Sequence, residues 1–236
     1  MHDDIKLPIE RAEQFLREME AEYKKCFAIK SVTPLAQQLT HDVCEKIKSS
    51  LDRIAYHYFT QWIKPSLAAD DVAKARIYFP IADDHHSFES TLGNWRWKAV
   101  RGQHLNFYDR VRKLQPYEDN SYKWLSIVSK LANHGKHVGL TPQTKLEETI
   151  TTVTRVGGGG VSWGSNVIFG EGVSIMGAPV DPRTQRIRTT PGVTERQEIW
   201  VSFLIDGYDV NALEFCKDAV FKTKIILVNL AKEFGL

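Results

Sequence analysis

The residues with the most chemistry in reach of one another lie in the segment WLSIVSKLANHGKH, residues 124–137. Lys130, Asn133, Lys136 and His137 follow each other within two helical turns, and spacings of three and four bring side chains to one helical face. An imidazole beside a lysine is what metal-free cleavage of RNA requires: His137 as general base or acid, with Lys130 or Lys136 stabilising the charge that develops on phosphate. A structural account of the same residues also holds. Cations are favoured at the carboxyl end of a helix by its exposed carbonyls, and Asn133, Lys136 and His137 would then clamp the preceding Gln115-Pro116-Tyr117 turn. Only the first account needs these side chains open to solvent. His57 stands four residues after Arg53 and five after Asp52. It is either a second catalytic imidazole or a core histidine whose tautomer an Asp or Tyr partner fixes.

Other conspicuous segments carry less. Gly157 to Gly160 lacks the Lys-Ser/Thr ending of a phosphate-binding loop, so its glycines are read as a tight turn needing positive backbone dihedrals. His85-His86 beside Asp83-Asp84 offers no third ligand at helical spacing, and no metal or cofactor is expected. Trp95, Arg96, Trp97, Lys98 and Arg101 form an aromatic and basic cluster. It would suit a nucleic-acid strand, or a half-buried β-strand with tryptophans at alternate positions. Cys26, Cys44 and Cys216 form no close pair, which points to a reducing compartment.

These residues must be positioned by helices first and strands afterwards. The pattern Ile9, Ala12, Phe15, Leu16, Met19, Tyr23 predicts a helix from Pro8 to about Cys26–Ala28. Val43, Ile47, Leu51, Ile54, Tyr58 and Trp62 predict a second, from Pro34 or Thr40 to Pro65. A brief helix is expected near His86 to Leu92 and a longer one from Gln103 to Leu114. Another, capped by Asn120 or Ser121, runs to about Asn133–Gly135. After Pro142 the period falls toward 2, and KLEETITTVTRV (145–156) and Glu198–Ile205 read as strands. Asn166–Phe169 with Val173–Met176 reads as a hairpin, GAPVDPRTQ as a loop and RIRTT as a further strand. A last helix from about Val210 to Phe234 is expected to roof the sheet. The fold class is therefore α+β: a helical bundle over residues 1–140, and a small antiparallel sheet with a covering C-terminal helix over residues 141–236.

With 236 residues, 25% of them charged, and a net charge of +2, the chain is long enough for a sizeable core and supplies no global field to steer nucleic acid. No run approaches the roughly 18 apolar residues of a membrane span. The acidic MHDDIKLPIERAEQ start is unlike a secretory signal, so a cytoplasmic address and no membrane partner are expected.

Taken together, LDRIAYHYF (51–59), KLQPY (113–117) and WLSIVSKLANHGKH resemble a widespread bacterial family of uncharacterised proteins. Leu51, Asp52 and Ala55, then Gln115, Pro116 and Tyr117, then Asn133, Lys136 and His137 match its motifs. Arg53 replaces a histidine, Gly135 an acid and Val138 an arginine. A more remote similarity is to HEPN-type helical domains, many of them dimeric, metal-independent ribonucleases. There Lys130 and Leu131 would stand for the arginine and polar residue of the signature and His137 for its histidine; a lysine lacks the bidentate fork of arginine. This resemblance implies a non-enzymatic interaction or regulatory protein with a degenerate HEPN-like region, having a homodimeric, RNA or protein partner. The alternative is a ribonuclease using His137 with Lys130 or Lys136, supported by Asn133 and His57.

Overall fold

The computed structural model describes residues 1–137 and 140–236, and the side chains of all of these but 98, 99 and 134–137. Among the described residues, eight α-helices and seven strands follow each other in the expected order, helices first, then strands, then one helix. The chain is α+β, with N-terminal helices, an antiparallel sheet and a C-terminal helix. No helix among the described residues is long and apolar enough to cross a membrane.

Helix α1 spans Asp3–Ile29 and begins ahead of Pro8. Ile5 and Ile9 are both buried, so the apolar stripe starts one turn earlier than the proline suggested. Its end is a left-handed Lys30 (φ 53°), whose N–H closes on the carbonyls of Cys26 and Phe27. Helix α2, Pro34–Tyr58, opens with a matched pair of start signals: Pro34 in the first turn, and Thr33 accepting from the Ala36 N–H at 3.1 Å. The same Thr33 hydroxyl donates to Glu22 of α1 at 2.8 Å, so the cap also fixes the α1–α2 corner. Beyond Tyr58 the helix widens into a π turn, Phe59–Ile63, with Phe59 and Ile63 buried, and then a short 3₁₀ turn at Pro65.

Short helices α3 (Ala69–Lys74), α4 (His85–Asn94), α5 (Lys98–Gln103) and α6 (Leu105–Lys113) follow, then α7 (Lys123–His137). Where one helix from Gln103 was expected, two meet at His104. The Trp95–Trp97 stretch is a turn between α4 and α5, not a strand. Trp97 is fully buried there against Phe59, with ring centroids 5.8 Å apart. Helix α8, Ala212–Phe234, is capped by Asn211 and ends at a left-handed Gly235. Its buried stripe of Cys216, Val220, Leu227 and Leu230 packs with α1 and α2.

Two compact units result: residues 1–144 with 204–236, and residues 145–203. Helix α8 thus belongs to the helical unit, whereas the change of rhythm near Pro142 grouped it with the strands. The reason is its buried face, which finds the apolar surfaces of α1 and α2.

Strands β1 (Gln143–Arg155), β2 (Gly160–Trp163), β6 (Val193–Ile205) and β7 (Val210–Asn211) form one sheet in the order β2-β1-β6-β7. Thr151 faces Trp163 and Val153 faces Val161 in the β1–β2 hairpin, turned by Gly157 at φ 74°. A second sheet, β3 (Ser174–Ile175), β4 (Ala178–Asp181) and β5 (Arg186–Ile187), corrects the hairpin reading. Asn166–Phe169 is not a strand, and GAPVDPRTQ contains β4. The turn residue is Met176-Gly177, both with positive φ. Val153, Ile175 and Val180 make the core of this unit, flanked by Trp163 and Phe169.

Candidate functional site

Helix α2 presents two faces on which nominated residues sit. Toward α1, His57 Nε2 lies 2.8 Å from both carboxylate oxygens of Asp4, and Arg53 approaches the same carboxylate at 3.6 Å. His2 stacks flat on His57, with centroids 4.2 Å apart. Burial raises the Asp4 carboxyl, but the hydrogen bond from His57 and the positive groups His57, Arg53 and His2 outweigh it and hold it below its ordinary value. His57 is a partnered imidazole, fixed by a carboxylate from the preceding helix.

Toward α7, α2 forms one wall of a groove. The opposite wall is α7, and residues 75–82, which form neither helix nor strand, supply Ile77, Tyr78, Phe79 and Ile81 to the lining. One hollow of about 270 Å³ is lined by Glu45, Ser49, Arg53, Tyr56, Ile77 and Ala132. The next, of about 300 Å³, is lined by Tyr78, Ile81, Thr91, Trp95, Ser129 and Asn133. Lys48 and Asp52 belong to both, so the hollows adjoin.

The Lys48–Asp52 pair builds this junction. One turn apart on α2, the two form a salt bridge, and Asp52 also accepts the Phe79 N–H at 2.8 Å. Lys48 lies over the Tyr78 ring, 5.7 Å from its centroid. The Tyr78 ring meets Trp95 edge-on at 5.6 Å. A carboxylate on a helix thereby holds an irregular backbone segment that no β-ladder supports.

Gln115 anchors the other end of that segment. Its amide oxygen accepts the Ala82 N–H at 3.0 Å, and its nitrogen donates to Pro80 O at 3.0 Å and Val111 O at 2.9 Å. Its partners are thus Pro80, Ala82 and Val111 of α6, while the clamp expected from Lys136 and His137 falls on side chains outside the described residues. Tyr117 reaches His85 Nδ1 at 3.4 Å, and burial pushes its phenol up to about 12.

Asp83, just beyond that segment, ties it to α7. It accepts from Ser126 and from Lys130 Nζ, the latter at 2.9 Å. These two hydrogen bonds and the lysine charge hold the Asp83 carboxyl below its ordinary value and raise the Lys130 ammonium in return. Asp84 is spent differently, capping α4 through the Ser87 N–H at 2.8 Å. Among the described residues, no three His, Cys, Asp or Glu side chains gather to hold a metal ion.

Of the residues nominated from sequence, then, Asn133 lines the groove, Lys130 is bound by Asp83, and His57 is engaged by Asp4. Lys136 and His137 lie on α7, with side chains outside the described residues. Lys48 and Tyr78 were missed. The four-residue spacing of Lys48 and Asp52 was the available signal; nothing local marks Tyr78 as a groove residue, and Asp83, weighed beside Asp84 as a metal ligand, instead pairs with Lys130. Comparison with protein-family models, with curated proteins and with solved structures finds no match.

Proposed function

We propose that this protein is a non-enzymatic interaction module, and that the α2–α7 groove receives an extended peptide segment of a protein partner. The observation that carries the reading is that two hollows adjoin along α2, with Lys48 and Asp52 lining both. Two hollows side by side suit successive residues of a chain more than one compact metabolite. Its lining agrees: aromatic rings of Tyr56, Tyr78 and Trp95 for apolar side chains, and Arg53, Glu45 and Asn133 for backbone and charged groups. Two of the nominated groups are already engaged within the fold: His57 by the Asp4 carboxylate and Lys130 by Asp83.

Panning of random-sequence displayed peptides on purified protein tests this. Peptides enriched on wild type and lost on both Tyr78→Ala and Asn133→Asp, with fold intact by circular dichroism, are expected. Failure to enrich any peptide, or metal-free RNA cleavage that disappears in His137→Ala, refutes the module and favours the ribonuclease alternative.

A further inference from the structure

Helix α8 carries a second, independent feature. Three large apolar side chains stand in solvent on its outer face: Phe221, 63% exposed, Ile225, 45%, and Val228, 54%. Their spacings of four and three place them in one stripe, on the side opposite Cys216, Val220, Leu227 and Leu230. The same rhythm continues outward to exposed Asp218 at one end and exposed Lys232 at the other. Lys217 with Glu20 at 3.2 Å and Lys224 with Glu13 at 2.6 Å pin α8 to α1 along its flank. The stripe is therefore held facing outward.

We infer that a second copy of this chain covers the stripe, the two α8 helices crossing antiparallel about a two-fold axis near Ile225. The pattern Asp218, Phe221, Ile225, Val228, Lys232 is self-complementary under that operation. Ile225 meets Ile225 of the partner subunit, Phe221 meets Val228 of the partner subunit, and Asp218 comes opposite Lys232 of the partner subunit. An isologous contact demands such a match, residue i against j and j against i. A parallel pairing would set Asp218 against its own copy and Lys232 against its own copy, which like-charge repulsion disfavours. Asp218 already holds Lys222 at 2.6 Å yet keeps half its surface exposed, so an oxygen remains for the partner lysine. Lys232 makes no ion pair among the described residues. From Asp218 to Lys232 the stripe spans roughly 21 Å at 1.5 Å per residue. That is a small interface, so the dimer is weak, in the micromolar range.

Sedimentation equilibrium on the full chain from roughly 1 to 300 µM reads the association. Wild type is expected to dimerise over that range, and Ile225→Asp to weaken association at least ~30-fold, as loss of a central contact does. Asp218→Lys and Lys232→Asp should each weaken it, and the double swap should restore it. Ile225→Cys should form an interchain disulfide with oxidised glutathione, uncomplicated by Cys26, Cys44 and Cys216, which are all buried. All substitutions lie on exposed positions, and circular dichroism checks that each variant is folded. A monomer throughout the range, a dimer indifferent to Ile225→Asp, or a double swap no better than the single ones overturns the inference. Peptide capture by the groove does not depend on this outcome.

Discussion

Replacing Gln115 by methionine tests whether the irregular wall of the groove is held by one buried amide. Methionine keeps the length and nearly the volume of glutamine, so no cavity contributes. Gln115 is 0% exposed and makes three hydrogen bonds with residues 80, 82 and 111. The Val111 carbonyl keeps a second donor, the Leu114 N–H at 3.2 Å, and is not orphaned. The Ala82 N–H and the Pro80 carbonyl lose a partner, each in a buried residue. At about 1–3 kcal/mol for each buried group left unsatisfied, the loss is about 2–6 kcal/mol, and about 3 kcal/mol once water reaches the groove side. Urea denaturation followed by tryptophan fluorescence measures it, the slope being expected to stay constant while the midpoint falls. Gln115→Glu adds a pH test. A carboxylate there still accepts the Ala82 N–H but opposes two carbonyls, and burial raises its pKa above the unfolded value near about 4.3. Its penalty therefore grows as pH rises above that value and shrinks below it, where the protonated acid again donates. A Gln115→Met loss under about 0.5 kcal/mol, or a Gln115→Glu penalty independent of pH, refutes the anchoring role.

Asp83→Asn removes a carboxylate whose folded pKa lies below the ordinary 3.8, so its stabilisation is complete above that pH and is lost as pH falls through the folded value. The stability gap between wild type and variant, from denaturation at a series of pH values, should be constant near neutrality and close below pH 3.8. Tyr23→Phe removes the hydroxyl that donates to Gln143 Oε1 from a fully buried ring, and should cost about 1 kcal/mol in the same urea assay. Native protein should resist thiol labelling at all three cysteines, because each is buried and the Cys216 thiol is pushed up by its hydrogen bond with Cys44 and by burial. Labelling rates that exceed the unfolding rate would contradict that packing. Asp52→Ala should destabilise by about 2 kcal/mol, since Lys48 and the Phe79 N–H lose a shared acceptor, and should abolish peptide capture by the groove.

Local pattern alone determined the long helices α1, α2, α7 and α8, and the reason is short range. The stripe Val43, Ile47, Leu51, Ile54 and the Pro34 start are decided within a turn or two of the residues concerned, whereas the Thr33 and Asn211 caps emerged only from the structure. The 145–156 strand was legible for the same reason: β-branched residues alternate along it. What the chain does with short apolar pieces was less so, as β3 and β4 pair across Met176-Gly177 through positive dihedrals that their residue types barely announce.

Tertiary structure decided the site. Asp52 meets Phe79, Gln115 meets Pro80 and Ala82, and Lys130 meets Asp83, each across 27 or more residues of chain. Such contacts leave no periodicity to read, because they depend on where whole helices pack. The same holds for α8, whose buried stripe could be read from its spacing, although only packing selected α1 and α2 as the surface that covers it.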